Sequence, residues 1–520
     1  MFLEYIEIIE EIILYYYKEL LMRFKKTTLM LFITLLFPEI YDGYTIYAPG
    51  GGFGGNSSTT YLKDADWTTV KTWSHDCGAA SMPYLVLTDE PGIENSLLYY
   101  PCRSSNTVMD SGGVGGQVKI YNWDGDELWS MVIAGTVAGA NTNNELQHHH
   151  DIEPLPNGNF LLIAWERLYS TEWQFLGVNG VDNNLNQMWS TAILEVEPNF
   201  STGGYEIVWE WYIKDHLIQD YSSNYNNYGV ISEHPELMDA NCGNIGNGGA
   251  DQNGDWMHIN AIDYNEELDQ IIISSRFQDE VYIIDHSTTT EEAATHSGGN
   301  SGKGGDFLYR WGKPQNYDRG TTSDHFLGDQ HSINWIPQNS PGEGNLICYV
   351  NQYESGNSPS AVLEFTPPVL DDGTYYIEDG EPYGPSNYEW IVEATSQFNF
   401  STSMQGGAFR LPNGNTLITD CDDATIYQIN PNGEIEFNYT QSGNNLMIAR
   451  AQSYSPEYFD FMQGSPGDVN GDEIINVLDI VQTVNMVLGL QEANSLADLN
   501  NDNIVNILDV VQLINLVLNP

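Results

Sequence analysis

A tight turn followed by an apolar strand recurs along this chain, and no other feature constrains its fold so strongly. The clearest copies are Leu155-Pro156-Asn157-Gly158-Asn159-Phe160-Leu161-Leu162-Ile163 and Leu411-Pro412-Asn413-Gly414-Asn415-Thr416-Leu417-Ile418. Asn-Gly at a two-residue turn predicts a type I′ hairpin, in which both central positions take positive φ. Partner strands read as Val118-Lys119-Ile120-Tyr121, Glu206-Ile207-Val208-Trp209, Val281-Tyr282-Ile283-Ile284 and Ile426-Tyr427-Gln428-Ile429. About six such units fall between residues 59 and 450, about 40–70 residues apart. Recurring four-strand units at that spacing predict an all-β, six-bladed β-propeller. A two-sheet sandwich leaves the recurrence unexplained. The stretch from Tyr61-Leu62 to Val70-Lys71-Thr72-Trp73 is expected to pair with a last strand near residue 447 and close the ring. Segments 222–255, 287–304 and 366–388, rich in Gly, Asn and acidic residues, are expected to be loops.

Charge narrows the function. The 520 residues carry 72 Asp and Glu against 17 Lys and Arg, a net charge of −55. Such a surface repels nucleic-acid phosphates and anionic membranes. The 32 Tyr, 18 Phe and 13 Trp supply enough apolar surface for a packed core, so the acidity does not imply disorder. Five cysteines, Cys77, Cys102, Cys242, Cys348 and Cys421, include no CxxC pair, which argues against a thiolate zinc site and leaves any disulfide pairing open. At the N-terminus, Met22-Arg23-Phe24-Lys25-Lys26 precedes the apolar run Leu29 to Phe37. That is the form of a signal peptide, too short for a membrane span, and it predicts synthesis from Met22 and a periplasmic or secreted protein. The expected organisation is a leader over 1–43, a propeller over 44–463 and a separate module over 464–520.

Past Gly464-Ser465-Pro466-Gly467 the pattern becomes helical. Asp468-x-Asn470-x-Asp472-x-Ile474-x-Asn476-x-x-Asp479 repeats thirty residues later as Asp498-x-Asn500-x-Asp502-x-Ile504-x-Asn506-x-x-Asp509. Calcium takes six to eight hard oxygens, and a loop of this spacing supplies them from positions 1, 3, 5, 9 and 12, with the carbonyl of position 7. Two calcium sites are therefore expected, each loop running into an amphipathic helix, in a module small enough to need its metal. The paired loop-helix repeat resembles a type I dockerin, which implies a cohesin-like partner. Position 6 departs from the usual Gly, being Glu473 and Asn503. The partner-selecting positions 10 and 11 are Val477-Leu478 and Ile507-Leu508.

Histidines gather at three unit starts: His148-His149-His150-Asp151, Asp255-Trp256-Met257-His258-Ile259-Asn260, and Gln330-His331-Ser332-Ile333-Asn334-Trp335. Equivalent strand starts surround one mouth of a propeller channel, so these side chains are expected to converge. Three His can hold zinc or copper. Arg276, which ends the next strand at Ser274-Ser275-Arg276, would repel a cation and instead suits a sulfate or phosphate group.

The stretches HHHDIEPLPNGN, DWMHINAIDYNEELDQIIISSR, FLYRWGKPQNYDRG and GDQHSINWIP resemble the bacterial arylsulfate sulfotransferases over about residues 44–450. The resemblance implies an exported six-bladed propeller that moves a sulfuryl group from an aryl sulfate donor to a phenolic acceptor without a nucleotide. It implies His331 as the nucleophile forming a sulfohistidine, His258 as an active-site histidine and Arg276 as the sulfate-binding arginine. The family's His-His-Asp motif falls on His149 and His150, with His148 beside them leaving open which ring faces the site. Ser332-Ile333-Asn334 is where the sequence departs from the family's more varied stretch. Trp256, Trp335 and Tyr309 are candidates to stack an aromatic ring, or to pack in the core. A non-catalytic binding module displayed through the tail is the alternative from another class. No paired-carboxylate motif supports a hydrolase or lyase.

Overall fold

The computed structural model describes residues 40–50, 58–88, 92–246, 253–353, 359–443 and 446–460, and in the C-terminal stretch residues 467, 469–470, 475–488, 490–491, 495–497, 499 and 505–518. The leader reading over 22–37 lies outside the described residues, as do Asp468, Asp472, Ile474, Asp498, Asn500, Asp502 and Ile504 of the two acidic loops. Of the two compact units, Met1–Tyr41 and Asp42–Pro520, the described residues lie almost wholly in the second. Among them no helix is long and apolar enough to cross a membrane.

Six antiparallel sheets follow one another as the blades of a propeller. The first blade joins the two ends of the ring: Ile448–Tyr454 pairs with Tyr44–Pro49, followed outward by Ser58–Lys63 and Thr69–His75. The expected closure therefore needs a correction, because the last strand meets Tyr44–Pro49 and not the 61–73 stretch. Tyr44-Thr45-Ile46-Tyr47 lies before the first repeat unit at residue 59, and no Asn-Gly turn marks it. The second blade runs Tyr84–Val86, Leu97–Arg103, Gly116–Tyr121, Glu127–Val132. The third runs Leu146–Pro154, Phe160–Tyr169, Gln187–Asn199, Gly204–Tyr212, with the short Ala134–Gly135 on its inner edge. The fourth is Ile259–Asn265, Gln270–Ser275, Glu280–Asp285, Tyr309–Trp311; the fifth is His331–Trp335, Leu346–Val350, Ala361–Phe365, Trp390–Glu393. Gly407–Arg410, Thr416–Asp420, Thr425–Ile429 and Ile435–Thr440 make the sixth.

The turn chemistry differs from expectation in one respect. At Pro156-Asn157-Gly158 and Pro412-Asn413-Gly414 only the glycines take positive φ, 85° and 90°. The loop has three residues because Leu155 N–H closes onto the Asn159 carbonyl at 2.8 Å. Proline presets the first corner of a type I turn and glycine takes the left-handed third position, a combination suited to three-residue hairpins. Aromatic and aliphatic side chains fill the spaces between blades: Trp209, Trp211, Trp256, Ile273 and Ile284 between the third and fourth, and Ile272, Trp311, Ile333 and Phe365 between the fourth and fifth. Each such burial contributes about 1.5–3 kcal/mol. Cys77 and Cys102 form a disulfide between the first and second blades, while Cys242, Cys348 and Cys421 are free and buried.

In the tail, helices Val477–Val487 and Ile507–Leu518 pack on each other around Val469, Met486, Ala497 and Leu513. The Asn476 side chain accepts from Leu478 N–H and the Asn506 side chain from Leu508 N–H, capping both helix starts.

Candidate active site

The inner strands of the third, fourth and fifth blades are neighbours around the channel. Each carries a fault near its start. Pairing slips between Leu162 and Ala164 opposite the third, between Ile259 and Ala261 in the fourth, and between His331 and Asn334 in the fifth. At the same places His150, His258 and Ser332 hold φ of 55°, 51° and 56°. Left-handed backbone at non-glycine residues costs about 1–3 kcal/mol and persists where it aims a side chain. Here it turns the His150 and His258 rings into edge-to-face contact, their centroids 4.8 Å apart. His149 stacks on Trp165 at 3.9 Å, and its Nδ1 lies 2.9 Å from His150 Nδ1. His148 turns away, its Nδ1 accepting from Gly116 N–H at 3.0 Å, and His150 is the ring in contact with His258.

A glycine-rich strap presses on these rings. A Cβ on Gly113 would lie 2.0 Å from His150 Nε2, one on Gly115 would lie 2.4 Å from His148 Nδ1, and one on Gly112 would touch His258 Cε1 at 3.5 Å. The run Ser111-Gly112-Gly113-Val114-Gly115-Gly116 was a legible signal of that approach, and sequence reasoning passed over it.

His331 is buried, and its surroundings fix its tautomer. Asn351 donates its amide to the carbonyls of Thr402 at 3.0 Å and Gln405 at 2.9 Å, which leaves its oxygen facing His331. His331 Nδ1 thus meets two acceptors, Asn351 Oδ1 at 2.6 Å and the Asp329 carbonyl at 3.0 Å. Nδ1 must carry the proton. Nε2 then keeps its lone pair, and it accepts from Gln405 N–H at 3.2 Å. Burial, followed by the charge of Arg276, holds the imidazolium form of His331 well below the ordinary histidine range against the opposing bond from Asn351. His149 and His150 are depressed in the same direction, by burial first and then by His258.

His258 has a different partner. Its Nδ1 lies 2.5 Å from Asp255 Oδ2, and Asp255 is itself held by Ser111 Oγ at 3.0 Å and Trp165 Nε1 at 3.0 Å. Arg276 pairs with Asp329 at 3.0 Å, while its buried Nε has no hydrogen-bond partner among the described residues. A buried unpaired donor costs about 1–3 kcal/mol, so such an atom points to a missing acceptor. Behind the histidines, Asp151 accepts from Ser81 and Tyr84 and pairs with Arg450 at 2.8 Å, and Arg450 also donates to the Asn260 carbonyl. That network joins four blades beneath the site.

The five residues expected to carry the chemistry, His331, His258, Arg276, His149 and His150, are brought to one mouth of the channel. The three aromatic candidates are not. Trp256 is fully buried and spends its Nε1 on the Cys242 carbonyl at 2.8 Å. Tyr309 is buried, stacked on Tyr375, and its hydroxyl donates to the Gly384 carbonyl. Trp335 packs at the far end of its strand within the core between the fourth and fifth blades. These residues stabilise blades, and the rings beside the histidines are Phe277 and Trp165. Sequence reasoning missed Asp255, Asn351, Gln405 and Arg450 as partners, since their contacts arise only from folding.

The fold is thus a six-bladed β-propeller in which histidines and an arginine from neighbouring blades meet, and that is the class of protein the structure defines. Within that class the chain belongs to the arylsulfotransferase (ASST) family, whose model matches residues 116–375, half of its length. The type I dockerin model matches residues 466–518. Among curated proteins none matches this sequence. Similar solved structures include a protein of unknown function from Bacteroides caccae, 12% identical, covering 79% of this chain and 99% of its own, with a TM-score of 0.38. Another is a periplasmic gluconolactonase from Pseudomonas aeruginosa, 11% identical over 79% of this chain and 99% of its own, with a TM-score of 0.37. Likeness at this level carries no argument about activity.

Proposed function

We propose that the propeller is an exported aryl-sulfate sulfotransferase working through a sulfohistidine on His331. The observation that carries the reading is a buried imidazole whose proton is pinned on Nδ1, leaving the Nε2 lone pair within the field of Arg276. Neutral imidazole is a competent nucleophile, and a covalent intermediate divides a difficult transfer into two steps. In the first, Nε2 bonds to sulfur while the sulfur–aryl oxygen bond breaks. Doubly protonated His258, held through Nδ1 by Asp255, gives its Nε2 proton to the departing phenolate. In the second, His258 takes the proton of an incoming phenol, whose oxygen bonds to sulfur as the N–S bond breaks.

Charge spreads over the sulfuryl oxygens in a loose transition state like that of phosphoryl transfer. Arg276 answers it with its unpaired Nε, and the His149–His150 pair lines the same gap. The Gln405 N–H that meets Nε2 at rest is placed to meet a sulfuryl oxygen once Nε2 is bonded to sulfur. In a chain of net charge −55, this mouth is where an anionic ester finds compensating charge.

The tail is read as a calcium-binding docking module for a cohesin-like partner. In its support, both oxygens of buried Asp479 gather loop N–H groups, Oδ1 from Val469 and Asn470 and Oδ2 from Asn476. Asp509 repeats the arrangement with Leu499 and Asn506. Asn470, Asn476, Asp479, Asn506 and Asp509 offer oxygens of the kind calcium takes. The disulfide and the dockerin match agree with export.

The test is incubation with an aryl sulfate and no acceptor, followed by mass analysis. A sulfuryl group should appear on the His331 imidazole and discharge on adding phenol. His331→Ala should lose the adduct and about 10⁴-fold or more of turnover. Release of free sulfate regardless of phenol would make the protein a sulfatase, and binding without turnover would make it a binding module.

A further inference from the structure

Away from the channel, two histidines and an aspartate converge on one point. His216 follows the outer strand of the third blade, and His296 and Asp306 come from the segment between Glu280–Asp285 and Tyr309–Trp311. His216 Nδ1 and His296 Nδ1 each lie 2.8 Å from the same oxygen, Asp306 Oδ1, and the three atoms fall within 4.8 Å of one another. The other nitrogen of His216 lies 2.8 Å from the Ala293 carbonyl.

That last contact makes the arrangement chemically incomplete. A carbonyl only accepts, so His216 Nε2 carries its proton. Neutral His216 then turns a lone pair toward the carboxylate oxygen at 2.8 Å, and two acceptors do not bond. Something positive must lie between them, either a second proton or a cation. An imidazole giving one N–H to a backbone carbonyl while offering its other nitrogen is the usual arrangement of a metal-bound histidine. Trp211 stacks on the buried ring and donates to the Gly305 carbonyl at 2.7 Å, so the His216 ligand is held rigidly.

We propose that His216, His296 and Asp306 bind a zinc-class divalent metal ion that staples the third blade to the segment carrying His296 and Asp306. Two imidazoles and a carboxylate suit such an ion, with water completing a tetrahedron. Ligand bonds of about 2.0–2.2 Å place tetrahedral ligand atoms roughly 3.4 Å apart, so the present contacts open by about half an ångström. His296, 62% exposed, opens its own contact and faces solvent, where the ion and its water enter, while a turn of the Asp306 carboxylate opens the contact to the held His216. The channel histidines differ: Arg276 stands among them.

The experiment titrates the metal-stripped full chain with Co²⁺ in saturating calcium, so that the tail loops are already filled. One Co²⁺ per chain should bind with the visible absorption of a tetrahedral N/O site, and zinc should displace it. His296→Ala, a change at an exposed side chain, and Asp306→Asn should each weaken binding about 100-fold or more, since even outer-sphere partners cost 10–100-fold. His296→Ala should keep its aryl sulfate turnover. His331→Ala combined with His150→Ala should bind Co²⁺ unchanged. Absence of saturable binding, or binding that survives His296→Ala and disappears with the channel variant, overturns the proposal and leaves a proton between His216 and Asp306.

Discussion

Histidines in two parts of this propeller are driven to opposite charge states. At the channel mouth, His331 has an amide and a backbone carbonyl for neighbours, and burial with Arg276 drives it neutral. At the rim between the third and fourth blades, His286 lies between Glu195 at 3.0 Å and Asp269 at 2.8 Å. Burial opposes the charge there too, but the bonds to Asp269 and Glu195 prevail and raise the group to about 9. Desolvation opposes the charge in both places, more strongly at fully buried His331, and the partners decide the outcome. Beside an amide, burial and Arg276 keep His331 neutral; two carboxylates make His286 a structural cation.

At the mouth the two kinds of partner stand side by side: His258 has a carboxylate where His331 has an amide. Breaking the first should have the larger effect. Asp255→Asn removes the carboxylate that orients His258 and presents a carboxamide able to turn the ring to its other tautomer. Transfer from an unactivated aryl sulfate should fall about 10²–10⁴-fold. The loss should shrink as the leaving phenol is made more acidic, since a good leaving group needs no proton. A uniform loss across leaving groups would show that Asp255 only supports the fold.

Exchanging the second kind of partner for the first should have a smaller effect. Asn351→Asp places a carboxylate 2.6 Å from His331 Nδ1. An opposite charge at that range favours the imidazolium by about 1–3 pH units. The acid limb of kcat/KM, expected well below pH 6.5 in the native protein from the lowered His331, should move upward toward neutrality. The variant should slow as pH falls below neutrality, where the native protein does not, and should recover as pH rises. A pH-independent loss would mean that Asn351 holds the Gln405 loop and not the tautomer.

These comparisons mark the limit of what the sequence could show. Hairpin turns, blade number and the convergence of His149, His150, His258 and His331 were legible because turn residues and strand starts recur in one dimension. Asn351 lies at the end of an apolar strand with nothing local to distinguish it, and its partners Thr402 and Gln405 are fifty or more positions away. The closing strand Tyr44–Pro49 was invisible for the same reason, its partner lying at Ile448–Tyr454. Trp256, Tyr309 and Trp335 misled because aromatic side chains near a site motif and aromatic side chains in a blade core read alike. Left-handed backbone at His150, His258 and Ser332 left no trace at all, since none of these residues is glycine.

The rim histidine permits the gentlest test. Its folded group titrates near 9 and an unfolded histidine near 6.5, so its ion pairs contribute stability fully present below about pH 6.5 and lost as pH rises through about 9. Two and a half pH units correspond to at most about 3.4 kcal/mol. Asp269 is about a third exposed, and solvent screening reduces the contribution to about 2 kcal/mol. His286→Gln should therefore melt below the native protein at pH 6, and the gap should close steadily toward pH 10. Aryl sulfate turnover should not change, because His286 contacts Trp209 and Tyr264 between blades and nothing at the channel mouth. A gap that stays constant with pH would assign the loss to packing. A gap that widens toward pH 10 would mean that His286 is neutral like His331, and that its carboxylate partners do not set its charge.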